Sequence, residues 1–299
     1  MIMKHLALTA SICGALLVVP ALPTTASAAS CAPAFGAVCA GDEAAEYNTM
    51  IDRLRAADVV IIGERHDNPV HHEWQARIIS ALSPRGLAFE MAPRAKEEAA
   101  NSARAEGRDL EKALDWENSG WPDWAMYQPL FEAAPDAVIA GGGIPRDTLR
   151  ASVGDGAAAA FGDGSLRYQL EIPLSEDMQE AMETEQAEAH CGALPPVMLP
   201  GMVEAQRLRD AAFADAALRL HEQGDGPVVL IVGNGHARTD RGAPLYLGRA
   251  APGLDVVAIG LLEFENTPEG VPFDYAIYTP KHDRGDPCEA FLKSREKSE

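Results

Sequence analysis

Six short runs of apolar residues, at 59–62, 87–90, 137–140, 228–232, 256–262 and 275–279, set the strongest limit on what this chain can fold into. Each is continuous rather than alternating, so a strand made from it has to be buried on both faces. Helical patterns separate most of them. Repetition of strand, helix and strand produces a mainly parallel sheet with helices packed across it. The expected fold class is therefore α/β: a single domain with a largely parallel central sheet, helices on both faces, and helical insertions capping the carboxyl ends of the strands. The segments 94–134 and 152–200, helical in pattern and without strands of their own, supply those insertions. Neither contains a Ser/Gly-rich linker that would divide the chain.

Local signals support this reading. After the first strand Asn68 is a good N-cap, Pro69 suits the first helical position, and Val70, Trp74, Ile78 and Ala81 fall on one face. A long helix is expected over 200–222, with Met202, Ala205, Ala212, Ala216 and Leu220 at near-helical spacing. Another follows Ser175, where Glu176, Asp177, Glu180, Glu183 and Glu188 read as a solvated face.

The ends of the strands carry the chemistry. The first run leads into Gly63-Glu64-Arg65-His66-Asp67-Asn68, the second ends Phe89-Glu90-Met91, and the fourth leads into Gly233-Asn234-Gly235-His236. In open α/β sheets ligands sit beyond the carboxyl ends of the strands, where loops converge and helix N-termini point inward. Gly-x-x-His occurs twice at such an end, at Gly63 to His66 and at Gly233 to His236, with glycine permitting the sharp exit from the strand. Glu90 has a structural alternative, capping a helix or pairing with Arg94. His71 and His72 are neighbours on a helix, so their side chains diverge by about 100°. They are not an i, i+4 ligand pair; at most one joins His66 and the other is expected at the surface. Gly141-Gly142-Gly143 is expected to form a tight turn. Trp116, Trp121, Trp124 and Tyr127 are expected to pack an insertion onto the core, the alternative being a flat wall for a ring system with Tyr127 offering a phenol. The chain has no Walker loop, dinucleotide fingerprint, Gly-x-Ser-x-Gly elbow or Cys-x-x-Cys-His.

Acidic side chains outnumber basic ones 45 to 25 in the 299 residues, a formal charge of −20, which leaves no basic stripe for a nucleic-acid backbone or an anionic membrane surface. Lys4, an apolar stretch to Leu22 and Ala26-Ser27-Ala28 read as a signal peptide over residues 1–28, followed by an N-terminal segment 29–45 and the main domain 46–299. Export implies a periplasmic protein; the alternative is a lipid-anchored envelope lipoprotein, with membrane contact only through export or lipidation at Cys31. Cys31, Cys39, Cys191 and Cys288 remain after cleavage, an even number suited to two disulfides. Cys31–Cys39 with Cys191–Cys288 is favoured, although the sequence does not choose among the three pairings.

Several of these stretches resemble the ChaN-like family of the Tiki superfamily. They are Gly63-Glu64-Arg65-His66-Asp67-Asn68-Pro69 with His71, His72 and Gln75; Phe89-Glu90-Met91; Trp121-Pro122-x-Trp124-x-x-Tyr127-x-Pro129; His190-Cys191-Gly192-x-Leu194-Pro195 leading to Ala205-Gln206-Arg207-Leu208-Arg209-Asp210; and Gly233 to His236. The similarity runs in order across the core motifs 58–262. It implies an α/β fold and a bacterial envelope protein of haem binding and iron uptake, more a binding protein than an enzyme. On that reading haem is the partner, held non-covalently at the strand-end loops, with a homodimer closing over an exposed half-pocket. His66, His236 and His190 are candidate iron donors, with Tyr127 or Tyr168 as phenolate alternatives, and Arg65, Arg146 and Arg238 are candidates to hold the propionates. The wider superfamily, with erythromycin-esterase-like members, implies the alternative of a metal-dependent hydrolase of esterase or peptidase type. There His66, His236 and Glu90 would bind zinc or manganese or orient water, with Glu90 or Glu64 as general base.

Overall fold

The computed structural model describes residues 31–32, 34–264, 272–286 and 288–289, so the expected signal peptide, residues 1–28, lies outside the described residues. A short hairpin of β1 (Val38–Ala40) and β2 (Glu43–Ala45) leads into α1 (Tyr47–Arg55). Then come β3 (Val59–Glu64), α2 (Pro69–Leu82) and β4 (Gly86–Pro93), and a helical run of α3 (Glu97–Ala105), α4 (Leu110–Leu114) and α5 (Trp124–Glu132) before β5 (Val138–Gly143). A second helical run of α6 (Arg146–Asp155), α7 (Ala157–Phe161), α8 (Glu176–Ala189) and α9 (Leu199–His221) precedes β6 (Val228–Gly233). α10 (Ala243–Ala250), β7 (Val256–Glu263) and β8 (Tyr275–Thr279) follow.

The strands form one eight-stranded sheet in the order β2-β1-β8-β7-β3-β6-β4-β5. From β8 to β5 all neighbours are parallel, and β1 joins the β8 edge antiparallel with β2 outside it. The α/β expectation therefore holds for the core. The β1–β2 hairpin was not legible, because three residues apiece are too few to show a period.

Continuous apolar strands are what a doubly covered sheet requires, and the two faces separate residue by residue. Val60, Ile62, Leu87, Phe89, Val229 and Ile231 pack beneath α1, α2 and α5. Val59, Ile61, Ala88, Val228, Leu230 and Val232 pack beneath α9 and α10. Among the described residues no helix is long and apolar enough to cross a membrane.

Three local expectations are corrected. Gly141-Gly142-Gly143 is not a turn but the end of β5. A Cβ on Gly141 would lie 2.4 Å from the Ala92 carbonyl oxygen and one on Gly142 2.5 Å from the Phe213 ring, so the glycines let β4 and α9 approach. On α2, Asn68 caps as expected, its side chain accepting from the Val70 amide, but the buried stripe is His71, His72, Gln75, Ile78, Ile79 and Leu82. The Val70–Trp74 side is only half-buried. Neither histidine is at the surface, because polar partners receive both; the apolar pattern alone rotated the helix away from them.

Both favoured disulfides are present, with Cα separations of 5.7 Å for Cys31–Cys39 and 5.5 Å for Cys191–Cys288. The second links the turn between α8 and α9 to the chain beyond β8. The segment after β8 is also held by Arg284, which bridges Glu263 and Asp67.

Candidate functional site

β3, β6 and β4 are neighbours in the sheet, so the motifs read from separate parts of the sequence arrive side by side. His66 follows β3, His236 follows β6, and Glu90 lies near the end of β4. Their positions at one end of a parallel bundle follow from strand direction alone.

Glu64 is the last residue of β3 and is 2% exposed. One oxygen receives the Tyr127 hydroxyl at 2.6 Å and His66 Nδ1 at 2.7 Å, and the other receives Gln75 Nε2 at 2.6 Å, with His72 Nδ1 at 3.3 Å. Burial works against its charge, but the hydrogen bonds and charges of His66 and His72 outweigh it and hold the carboxyl well below its usual range. A charged Glu64 makes Nδ1 the donor nitrogen of His66. Burial opposes protonation of His66, yet Glu64, Glu90 and Asp67 together raise its pKa above the ordinary histidine value.

A second pair mirrors the first from the opposite face of the sheet. His236 Nδ1 lies 2.7 Å from Asp210 on α9. Asp210 is buried and its pKa is pushed up to about 6, chiefly by that burial and against the pull of His236. The Phe213 ring meets His236 edge-on, with centroids 4.8 Å apart.

Glu90 stands between the two pairs. Its Oε1 lies 3.6 Å from His236 Nε2 and its Oε2 3.9 Å from His66 Nε2, while Oε2 accepts the Gly233 amide at 2.8 Å. Both imidazole separations exceed a hydrogen bond, so the three groups frame a common point rather than bonding to one another. Gly233 permits this: a Cβ there would sit 3.0 Å from His66 Nε2.

Beside Glu90 opens a cavity of about 360 Å³ bounded by Glu90, Trp121, Arg146, Arg209 and Phe213; its wall includes neither His66 nor His236, whose rings lie against Trp121 and Phe213. Trp121 meets the His66 ring edge-on with centroids 4.9 Å apart, and the His66 side chain remains 32% exposed. An adjoining chamber of about 320 Å³ shares Arg146, Leu149 and Arg209 and continues to Gln206 and His190.

The structure brings His66, Glu64, Glu90 and His236, all named from the sequence, within reach of one another. Arg146 also lines the cavity. His190 caps α8 and reaches only the second chamber, where Gln206 separates it from His236. Tyr127 is fully buried and gives its hydroxyl to Glu64, and burial followed by the Glu64 charge raises its pKa strongly, so it supports the site from beneath and has no open face for a ligand. Tyr168 is buried elsewhere, bonded to Asp215 at 3.0 Å. Arg238 is engaged by Asp240 through two hydrogen bonds of 2.9 and 2.7 Å, and Arg65 is exposed with no side-chain partner among the described residues. Of the tryptophan cluster only Trp121 reaches the site, while Trp116 packs on Trp124 and Tyr127. Asp210 and Arg209 stood in the family-like stretch 205–210 but were given no role; the signal for one was a pair of charged side chains inside the helical pattern of α9. Among the described residues no group of three or more His, Cys, Asp or Glu side chains is spaced to hold a metal ion.

A doubly wound sheet whose strand ends carry two histidine–carboxylate pairs beside an aromatic- and arginine-lined cavity defines an α/β protein with its candidate site at the strand ends. The chain belongs to the family described as haem-binding uptake, Tiki superfamily, ChaN, whose model matches residues 50–247 and so includes Glu64, His66, Glu90, Asp210 and His236. Among solved structures it is similar to ChaN of Campylobacter jejuni, described as binding haem cofacially: 20% identity, 81% of this chain and 96% of that chain covered, TM-score 0.65. The type III effector HopBA1 gives 13% identity, 79% and 93% coverage and a TM-score of 0.42. A Bacillus cereus protein gives 14%, 73% and 69%, and 0.40. No curated protein matches the chain.

Proposed function

We propose that this chain is an exported, envelope-located haem-binding protein of iron uptake that takes haem at the strand-end cavity, with His66 as the imidazole donor. The observation that carries the reading is the state of His66. Its Nδ1 is fixed by the buried Glu64, its Nε2 makes no hydrogen bond among the described residues, and a third of its side chain is open beside Trp121. A carboxylate on the far nitrogen fixes the tautomer and increases the basicity of the near one, as it does for metal-bound histidines generally. Gln75, His72 and Tyr127 keep that carboxylate charged and immobile. Trp121 and Phe213 supply apolar surface for a flat ring.

Haem, when bound, supplies an iron centre that accepts an imidazole and a broad apolar plane. The two disulfides accord with an oxidising compartment, which is where the leader at residues 1–28 would deliver the chain. A hemin titration followed in the Soret region is expected to saturate at a defined stoichiometry, with His66→Ala shifting the band and weakening binding. Uptake without a defined stoichiometry, unchanged by His66→Ala and by His236→Ala, would show that the site does not bind haem in this way.

One observation favours a second reading. Two imidazoles, each backed by a buried carboxylate, converge on a third carboxylate without bonding to it. Such a frame suits a water activated by Glu90 as general base, with His66 and His236 stabilising developing negative charge, which is hydrolytic chemistry. Turnover of activated esters that is abolished by Glu90→Gln would favour it; no turnover above buffer would dismiss it.

A further inference from the structure

The chain beyond β8 turns back across the ends of the neighbouring strands. Its residues 280–286 are exposed or half-buried and carry no large apolar side chain. Ordering such a segment costs conformational entropy that hydrophobic burial does not offset, so polar contacts and a covalent tie have to hold it. Those contacts step along the sheet from β8 to β7 to β3. Thr279, the last residue of β8, is bonded to His71 Nε2 at 2.8 Å, and the Pro280 carbonyl accepts from Asn68 Nδ2 at 3.0 Å. Glu263, buried at the end of β7, accepts from Asn68 Nδ2 at 2.9 Å, from the His282 amide at 3.1 Å and from Arg284 Nη1 at 2.9 Å. Arg284 Nε then reaches Asp67 Oδ2 at 2.6 Å.

These partners enclose one residue. Asp67 and Asn68 follow His66 directly, and His71, held by Thr279, accepts at 2.8 Å from the amide of Arg65, which precedes it. The bond from Nδ1 to Glu64 fixes the turn of the His66 ring, but the ring travels with its loop. A donor carried on a loop keeps its place only as well as the loop does. Arginine suits the task, since its planar fork engages two carboxylates at once, which the point charge of a lysine does not.

The far end of the strap is anchored on the other half of the site. Cys288 is joined to Cys191 in the turn after α8. His190, beside Cys191, lines the same chamber as Gln206, whose amide nitrogen lies 3.3 Å from the His236 ring nitrogens. The family model ends at residue 247, before the strap begins.

We infer that the C-terminal strap is a clamp on the candidate site: Arg284 is a positioning residue for His66, joining Asp67 to Glu263, and the Cys191–Cys288 bond holds the strap closed between the His66 loop and the His236 side. The clamp rests on these contacts alone; its effect on a ligand rests on the haem reading above.

The test compares the full mature chain with two variants, Arg284→Gln and the pair Cys191→Ser with Cys288→Ser, by amide hydrogen exchange and by hemin titration. In both variants the Arg65 and Asn68 amides are expected to lose at least about tenfold in protection, the scale of one charge-assisted hydrogen bond. Amides of β6 from Val229 to Val232 are expected to keep theirs. Hemin is expected to bind several-fold more weakly, with a shifted Soret band. Unchanged protection of the loop in both variants overturns the clamp, and so does an equal loss in the loop and in β6, which would make Arg284 a contributor to global stability only. Loss confined to the loop, with hemin affinity and Soret band unchanged, overturns the positioning of His66 and leaves the haem reading intact. Loss confined to the loop in a protein that binds no hemin even unaltered keeps the clamp and overturns the haem reading. Should Arg284→Gln fail to fold, the cysteine variant, which leaves the Arg284 side chain untouched, decides by the same comparison.

Discussion

Replacing Tyr127 with Phe isolates a single link in the support of His66. The Tyr127 ring is fully buried between His72, with centroids 4.4 Å apart, and Trp116 at 4.9 Å, contacts that Phe keeps. What is lost is the 2.6 Å hydrogen bond to Glu64, a carboxylate that the fold holds charged. A hydrogen bond to a charged group contributes about 1.5–3 kcal/mol, against about 0.5–1.5 kcal/mol for one between neutral groups. Because Phe leaves no orphaned donor, the expected loss at pH 7 is about 1.5–3 kcal/mol. For a chain of this size that corresponds to a fall in Tm of roughly 3–12 °C. Denaturant unfolding of the disulfide-intact protein measures it. The sign with pH is also determined. Glu64 is depressed from its ordinary 4.5 in the folded state, so its contribution is present above that value and is lost as pH falls below it. The Tyr127→Phe deficit should therefore be largest near neutrality and shrink in acid. A loss under about 0.5 kcal/mol, constant with pH, would mean that Glu64 is not a charged acceptor, and the account of His66 would fall with it.

Gly233→Ala places a methyl group 3.0 Å from His66 Nε2 and 3.6 Å from Glu90 Oε2. Hemin affinity should drop several-fold with only a modest change in Tm, and unchanged affinity would show that His66 Nε2 is not part of the ligand contact. Gly142→Ala drives a Cβ to 2.5 Å from the Phe213 ring that also packs on His236, so a loss of about 1–3 kcal/mol is expected in chemical denaturation. His71 is buried, accepting from the Arg65 amide at 2.8 Å and bonded to Thr279 at 2.8 Å, and burial lowers its pKa to about 4 from the ordinary 6.5. The unfolded chain takes up this proton first, so stability should be full above pH 6.5 and fall by roughly 3 kcal/mol as pH drops toward 4. His71→Gln should be less stable at pH 7.5 but show a flatter decline; an equally steep one would place the acid sensitivity elsewhere.

The fold was legible because burial leaves a direct mark on sequence. A strand covered on both faces has to be apolar at every position, and the runs at 59–62 and 228–232 are. Their polar terminations at His66, Glu90 and His236 were legible for the complementary reason: charged groups at the end of a buried strand have to sit where the sheet meets its loops. Helices carried less information. Asp210 lies in a helix otherwise buried through Leu208, Ala211 and Ala214, and its partner His236 is 26 residues away. His71 and His72 are buried because Arg65, Thr279, Gln75 and the His66 carbonyl receive them, and no apolar periodicity records that.

By itself, then, the sequence determined the α/β class, the direction of the strands and the few positions where chemistry concentrates, since these depend on local composition and on the period of burial. Tertiary structure alone decided the order β3-β6-β4 that makes His66, His236 and Glu90 neighbours, the matching of each histidine to its own carboxylate, and the removal of Tyr127 and Arg238 from the ligand face. Pairing of that kind is a property of distance across the folded chain. Groups far apart in sequence acquire shifted pKa values only once packing has excluded the water that would otherwise have solvated each of them separately.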